Sequence, residues 1–120
     1  MEESLYNLKG EAIAYIAHDD DNTIYMWNGM PVAYIYDDCI YGFNGKHLGW
    51  FDDGYIRDLG GSILGSNVES AVGFVGFEPF KGFKQFSPFR AFREFEHTKP
   101  FFGYVLSHDK LDCFLMRGRA

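Results

Sequence analysis

A repeat of sixteen residues fills the first half of the chain and limits the folds that it can adopt. TIYMWNGMPVAYIYDD, residues 23–38, is followed directly by CIYGFNGKHLGWFDDG, residues 39–54. A weaker copy follows at residues 55–67, and another precedes at residues 4–17, with three extra residues in its linker. Because a repeat of this length corresponds to one supersecondary unit, the sequence predicts four copies of a single element.

The composition of each copy predicts a β-hairpin. Asn28-Gly29 and Asn44-Gly45 separate segments rich in β-branched and aromatic residues, and this pattern is typical of a two-residue type I′ turn. Gly60-Gly61 and Lys9-Gly10 occupy the same position in the other two copies. In the second copy such a turn aligns three cross-strand pairs: Trp27 with Met30, Tyr25 with Val32, and Ile24 with Ala33.

Both faces of each predicted hairpin are apolar, so the hairpins must cover one another. One face of the second copy carries Tyr25, Trp27, Val32 and Tyr34, and the third copy carries Tyr41, Phe43, Leu48 and Trp50 there. The residue equivalent to Ala33 is small in every copy, as Ala14, Gly49 or Gly65, which predicts a close approach by neighbouring copies. We favour a ring closed about a pseudo-fourfold axis over an open stack, because no capping sequence precedes the first copy.

The linkers between the copies are acidic and invite a cation hypothesis. Residues 19–22, 37–38 and 52–54 all contain Asp, and in a closed ring they would lie on one rim, where carboxylates can bind a hard cation. None of them has EF-hand spacing, and Asp is a common turn residue. We therefore expect turn formation rather than a metal site, and His47 is expected to be a surface or packing residue.

A second pattern occupies residues 73–96, the period-three segment, in which Phe recurs at every third position. An α-helix would spread such residues around its axis, a strand would alternate them, and Gly and Pro oppose a helix. Polyproline II has three residues per turn and would place all the Phe rings on one side, about 9 Å apart. Charged or polar residues follow most of the Phe residues, and small residues or Pro precede many of them, so we predict an extended rod with three distinct sides.

The rings in this segment form the candidate interaction surface. We expect them first of all to cover the acidic hairpin domain and complete its core, because most apolar side chains are buried. Self-association and a nucleic-acid strip, with bases stacked between Lys84, Arg90 and Arg93, are the alternatives. The surface contains Phe77, Phe80, Phe83, Phe86, Phe89, Phe92 and Phe95, and Phe74 continues the pattern.

The C-terminal part predicts a strand-like run after Pro100 and a short helix whose N-cap is Ser107, with Asp109 in its first turn. Ser107, His108 and Asp109 are adjacent in sequence only, which does not make a catalytic triad. Cys113 with His108 is equally unconvincing as a nucleophile and base. The sequence contains no phosphate loop, dinucleotide fingerprint, CxxC pair or HExxH motif, so we expect no enzyme activity and no cofactor.

Charge and composition indicate a single globular unit. Residues 1–70 contain twelve acidic and three basic residues (net −9), and residues 71–120 contain five acidic and eight basic residues (net +3). These opposite signs favour packing of the second part on the first, and the net charge of −6 argues against nucleic acid as a partner. Two cysteines, no long apolar run and an acidic N-terminus predict a cytoplasmic protein without a membrane span. Both cysteines are expected to be buried.

The repeats together with the period-three segment resemble the four-fold β-flower family of bacterial domains. The resemblance rests on the hairpin repeats with Asn-Gly turns, the following apolar residues spaced by three, and the ending FFGYVLSHDKLDCFLMRG, and it covers nearly the whole chain. It implies a functionally uncharacterised protein and supplies no catalytic residues. Related segments favour Ile-Pro steps, whereas this chain uses Phe.

These observations predict a mainly β fold: four hairpins in a closed pseudo-fourfold arrangement, an extended polyproline-II-like segment and a short C-terminal helix. Residues 1–70 form the hairpin domain, and residues 71–120 pack on it within one structural unit. We expect a non-enzymatic protein-interaction or structural module that is oligomeric or binds another protein. The alternative is a module that binds a small ligand, a sugar or a cation, at its aromatic face or acidic rim.

Overall fold

Four antiparallel hairpins pair side by side and close into an eight-stranded barrel. The computed structural model describes residues 2–71 and 73–120. The predicted fold class, four hairpins in a closed arrangement with a short C-terminal helix, is confirmed. The elements are β1 Glu2–Asn7, β2 Ala12–Ala17, β3 Thr23–Met26, β4 Pro31–Tyr36, β5 Cys39–Gly42, β6 His47–Asp52, β7 Tyr55–Asp58, β8 Ile63–Ser66 and α1 Leu111–Met116.

The hairpin turns belong to a different class from the one predicted. In the second hairpin the Met26 carbonyl accepts a hydrogen bond from the Gly29 N–H (2.9 Å), and the Met26 N–H donates to the Met30 carbonyl (2.8 Å). Gly29 has a φ of 94°, whereas Asn28 is not among the residues with positive φ. This is a type I turn followed by a glycine bulge, and the other three hairpins repeat its hydrogen bonds. The type I′ prediction for the Asn-Gly turns is therefore wrong.

The extra bulge residue also changes which side chains face the interior. Ile24 pairs with Ala33 as expected, but Tyr25 pairs with Pro31 instead of Val32. Val32 consequently joins the inner core, and Leu48 does so in the third hairpin. Because a shift of one residue moves a side chain to the opposite face of a strand, the assignment of these two residues to the outer aromatic face was wrong.

The C-terminal helix packs into the core of the barrel. Leu111, Phe114 and Leu115 of α1 are buried in the same cluster as Leu5, Ile24 and the other inward-facing barrel residues. A Cβ atom at Gly49 would overlap the Arg57 carbonyl oxygen and would lie 2.8 Å from the Phe114 ring. Gly49, and Gly65 in the fourth copy, therefore admit both the neighbouring strand and the helix.

The helix begins later than the sequence predicted. Its N-cap is Lys110, which makes no side-chain capping bond, and the acidic residue of the first turn is Asp112. The Ser107 hydroxyl instead accepts a hydrogen bond from the Asp109 N–H (3.1 Å). Ser107 thus stabilises a local turn before the helix, as its short side chain allows, and its prediction as the N-cap was wrong.

The barrel closes unevenly around its circumference. Three of the junctions between successive hairpins, β2–β3, β4–β5 and β6–β7, each contain four paired residues. The fourth junction, between β8 and β1, contains only two pairs, Tyr6 with Ser66 and Asn7 with Gly65. This short junction is called the seam below.

Residues 73–106, the wrapping segment, run around the outside of the barrel. Residues 74–105 contain neither helix nor strand, and Leu106 forms a single parallel bridge to Ile63. The strand predicted after Pro100 is therefore reduced to that bridge. The Cα atoms of the whole molecule form a disc of 37 × 37 × 22 Å.

Candidate interaction surface

The wrapping segment passes each hairpin turn once, at intervals of nine residues. A Cβ atom at Gly10, Gly29, Gly45 or Gly61 would press against the carbonyl oxygen of Phe74, Phe83, Phe92 or Phe101, respectively. At the first three turns only glycine permits this approach, and all four glycines have positive φ, which L side chains rarely adopt. Each turn glycine thus serves both its own hairpin and the chain that passes over it.

Backbone hydrogen bonds repeat with the same interval. Amides spaced by nine residues donate to the carbonyls of three turn glycines at 2.7–2.9 Å: Gly76 to Gly10, Gln85 to Gly29, and Glu94 to Gly45. The sequence does contain this period, since GFVGFEPFK is followed by GFKQFSPFR and AFREFEHTK. The period of three was predicted from the sequence, whereas the period of nine, which assigns one stretch of the wrapping segment to each hairpin, was missed.

The cationic side of the wrapping segment faces the aromatic outer surface of the barrel. The Arg90 guanidinium lies 3.8 Å from the ring centroid of Tyr34, and Arg93 lies at the same distance from Tyr36. Lys81 lies 4.4 Å from the centre of the Tyr15 ring, and it pairs with Glu2. Such contacts combine cation–π attraction with the docking expected from opposite charges.

Glu2 binds two cations of the wrapping segment at the junction between the first and second hairpins. Lys81 and Lys84 both bond to its carboxylate. These hydrogen bonds hold the pKa of Glu2 below its usual value, because they favour the ionised form. The net negative hairpin domain and the net positive second part therefore do meet, as their charges suggested.

At the junction of the third and fourth hairpins the cation belongs to the barrel and the ring belongs to the wrapping segment. Arg57 belongs to the barrel, and its guanidinium lies 4.7 Å from the ring centroid of Phe102 in the wrapping segment. Arg57 also donates to the carbonyls of Gly61 (2.9 Å) and Gly103 (2.6 Å). The contact between the two parts is preserved although its chemical partners are reversed.

The Phe rings of the period-three segment point away from the barrel. Their side chains are 95–102% exposed, so the expectation that they cover the hairpin domain is wrong. The reason is that the other two sides of the segment are occupied: Gly, Pro and Ala approach the turns, and Lys and Arg lie on the barrel's rings. We call these outward rings the phenylalanine belt: Phe74, Phe77, Phe80, Phe83, Phe86, Phe89, Phe92 and Phe95.

A buried histidine joins the wrapping segment to the barrel at the third hairpin. His47 is 2% exposed; its Nε2 lies 2.9 Å from the Gly49 carbonyl, and its Nδ1 accepts a hydrogen bond from the His97 N–H (2.9 Å). The ring therefore carries its proton on Nε2. Burial lowers the pKa of His47, because it disfavours the charged form. His47 is thus a packing residue, as one of the sequence alternatives held.

The two cysteines lie in different environments. Cys39 is buried, and its thiol donates to the Glu96 carboxylate (3.0 Å). Burial, followed by that carboxylate, raises the pKa of the Cys39 thiol to about 12, which keeps it protonated and unreactive. Cys113 is exposed, so the prediction that both are buried was wrong for this residue.

The acidic residues considered as site candidates take part in surface ion pairs and turns. Asp109 pairs with Arg117 (3.5 Å), and Lys99 approaches Asp38 (3.9 Å). Asp53-Gly54 has positive φ at both residues, 53° and 82°, which is the requirement for a type I′ turn. Within residues 2–71 and 73–120, no group of three or more His, Cys, Asp or Glu is arranged to hold a metal ion.

Comparison with known families agrees with this architecture. The family model described as "4-fold beta flower protein" matches residues 3–115, and the chain belongs to that family. No match was found among curated proteins or among solved structures. None of the helices in the described part of the chain has the length and apolarity needed to span a membrane.

Proposed function

We propose that the protein is a non-enzymatic interaction module that associates with copies of itself through the phenylalanine belt. The observation that carries this proposal is the complete exposure of eight Phe rings on a folded surface. Exposed apolar surface of this extent marks protein interaction sites and is rare on monomers. The belt is part of a defined backbone path, because hydrogen bonds at three hairpin turns hold its segment in place.

The belt supplies enough surface for a stable complex. A buried Phe side chain removes about 150–250 Å² from water, and a standard interface buries about 800 Å² on each partner. Four of the rings would reach this area. The eight rings therefore provide more than one contact, and a chain that displays them past three of its four hairpins is suited to assembly with several neighbours.

The alternative, binding of a sugar on the aromatic face of the repeat, receives less support. That face is already covered at two junctions by cations of the wrapping segment, including Lys84 near Tyr25 (5.6 Å) and Arg90 over Tyr34 (3.8 Å).

We place the protein in the cytoplasm, a proposal with which the two free thiols are in accord.

The mass in solution tests the proposal. We expect the wild-type chain to sediment as a dimer or larger species at micromolar concentration, against a monomer mass of 13.8 kDa. A variant with Phe80, Phe83 and Phe86 all changed to Ser should dissociate at least about tenfold more readily, a loss of about 1.4 kcal/mol.

The matched control changes three exposed polar residues outside the belt, Lys46, Lys110 and Asp112, to Ser. It should associate like the wild type. A wild-type protein that remains monomeric at every accessible concentration would contradict the proposal.

A further inference from the structure

The seam differs from the other three junctions because, within the described residues, no cation–ring contact joins the wrapping segment to the barrel there. Lys81 and Lys84 lie over rings at the first junction, Arg90 and Arg93 lie over rings at the second, and at the third the Phe102 ring meets Arg57. Counting nine residues back from Lys84 and nine forward from Lys99 gives Val75 and His108 for the fourth, and neither is Lys or Arg. The wrapping segment starts and finishes here, so this quarter of the barrel is left partly open.

The barrel residues at the seam also depart from the fourfold pattern. The residue five positions after the turn glycine is large in three copies, as Tyr15, Tyr34 and Trp50, but it is Ser66 in the fourth. Its cross-strand neighbour is small in the first three copies, as Ser4, Thr23 and Cys39, but it is Tyr55 in the fourth. In the fourth hairpin the aromatic side chain therefore stands on β7 instead of β8, and Ser66 leaves space on β8.

A cavity of about 120 Å³ opens at this place. Most of its wall is apolar, and Tyr55 and Tyr104 contact each other edge to face, with ring centroids 6.2 Å apart. Leu106 (58% exposed) and Tyr104 (78% exposed) are accessible from outside. The residues that bear on its chemistry are Leu8, Tyr55, Ile63, Ser66, Tyr104 and Leu106.

We propose that this cavity receives a Phe ring from the belt of a second copy of the chain. The size is appropriate, because an apolar cavity of about 150 Å³ accepts benzene. The same chain displays eight rings that are at least 95% exposed, so every copy offers both the ring and the cavity. This inference rests on the proposed self-association and adds to it the place where one ring is buried.

A ring inserted in the cavity would act as the anchor of the interface. Interfaces depend on a few aromatic side chains that fill well-packed pockets, while the surrounding contacts mainly exclude water. Further belt rings beside the inserted one would provide the rest of the roughly 800 Å² that a stable interface needs on each partner. Because the ring and the cavity lie on one surface, two copies can exchange rings symmetrically, or successive copies can continue in one direction.

The test fills the cavity from within. Ser66→Tyr restores the large residue of the other three copies and should raise the dissociation constant at least about tenfold, while the thermal unfolding temperature stays close to that of the wild type. Lys46→Tyr adds the same side chain at an exposed site outside the cavity and should leave association unchanged. Association of the Ser66→Tyr protein within about twofold of the wild type would overturn the inference.

A second pair of variants covers the case in which Ser66→Tyr unfolds the protein. Leu106→Asp puts a charge on the accessible wall of the cavity and should also weaken association at least about tenfold. Val105→Asp, at a neighbouring position that is 71% exposed and does not line the cavity, should have little effect. Equal effects of the two Asp substitutions would count against the cavity as the binding place.

Double-mutant cycles then identify the inserted ring. Each belt Phe is changed to Ser alone and together with Leu106→Asp, and only the ring that enters the cavity should be non-additive with that substitution. If belt substitutions abolish association but none of them is coupled to Leu106, the cavity inference fails and the proposed self-association stands. If the belt substitutions have no effect, the proposed function itself fails.

Discussion

Phe43 lies in the barrel and Phe92 lies in the wrapping segment that passes next to it. The Phe43 ring is buried, whereas the Phe92 ring is exposed to solvent. The Phe43 carbonyl accepts a hydrogen bond from Ala91, the residue beside Phe92 (2.9 Å). Phe43 is 1% exposed, whereas Phe92 is 102% exposed. The difference cannot come from side-chain chemistry, which is identical, and must come from the direction in which each backbone presents the ring.

The comparison shows what decides burial in an extended segment with three sides. In the barrel, strands offer two faces, and the apolar residues occupy both of them, inside against the core and outside beneath the wrapping segment. In the wrapping segment, contact with the barrel is made by small residues at the turns and by cations over Tyr and Trp rings. The third side, with the Phe rings, faces outward.

The largest expected difference comes from the same substitution made in the two regions. Phe114→Ala removes a ring buried in the core beneath Gly49 and should lower the free energy of unfolding by about 3–5 kcal/mol. Phe86→Ala removes a ring that is 101% exposed and should change it by less than about 0.5 kcal/mol. Urea unfolding at a concentration where the chain is monomeric measures both. Similar losses for the two variants would remove the distinction between the regions.

Substitutions at glycine test the close contact between the barrel and the wrapping segment. Gly29→Ala combines a left-handed φ of 94° with overlap between the new Cβ and the Phe83 carbonyl oxygen, and should cost about 3 kcal/mol. Gly60→Ala is the matched control, because Gly60 is not among the residues with positive φ and the nearest atom to its Cβ would be 3.5 Å away. It should cost less than about 0.5 kcal/mol. Equal unfolding free energies for the two variants would argue against the close passage.

A smaller effect is expected from the cations that hold the wrapping segment on the barrel. Arg90→Ala removes the stacking on Tyr34 (3.8 Å) and the hydrogen bond to the Asp21 carbonyl (2.9 Å), for a loss of about 1–2 kcal/mol. Arg119→Ala, at an exposed position near the C-terminus, should have almost no effect. If the two losses in unfolding free energy are the same, the cation–π contact does not help to hold the segment.

The smallest effect is a dependence of stability on pH through His47. Its folded pKa lies below the unfolded value of about 6.5, so the unfolded state binds more protons in acid and stability is lost as the pH falls below that value. Protonation of Nδ1 also removes the acceptor for the His97 N–H. The melting temperature should fall by a few degrees between about pH 7.5 and pH 5.5. Glu94, whose lowered pKa follows from its bond to the His47 N–H, acts only at lower pH.

His47→Phe separates this effect from the remaining titrations. The variant should lose the pH dependence between these two values while His97, which is exposed, is still present. If the slope is unchanged in the variant, another group is responsible and His47 does not connect the two regions in the way described.

The repeat allowed most of the barrel to be predicted, because it is a property of many residues at once. Sixteen-residue spacing and two apolar faces led to four hairpins and to closure, and the pairing of Ile24 with Ala33 followed from the turn position. The turn class could not be obtained in this way. Asn-Gly is compatible both with a type I′ turn and with a type I turn whose bulge residue is glycine, and only the latter moves Val32 into the core.

The direction of the Phe rings was the main feature that was not predicted from the sequence. A period of three predicts that the rings share one side of the segment. It does not predict which side of the segment meets the barrel. The deciding signals were present in the positions beside them. Lys81 and Arg90 recur at nine residues, and Tyr15 and Tyr34 are their partners in successive hairpins. The cavity at the seam depends on Ser66 and Tyr55 breaking this pattern, and such an exception is visible only after the pattern itself has been placed in three dimensions.

The outward direction of the belt is tested most directly by placing charges on it. A chain with Phe83→Asp and Phe86→Asp should still unfold cooperatively and sediment as a monomer of about 13.8 kDa, because neither ring contributes to the core. A doubly substituted chain that no longer folds would contradict the claim, since it would show that these rings are buried within the chain.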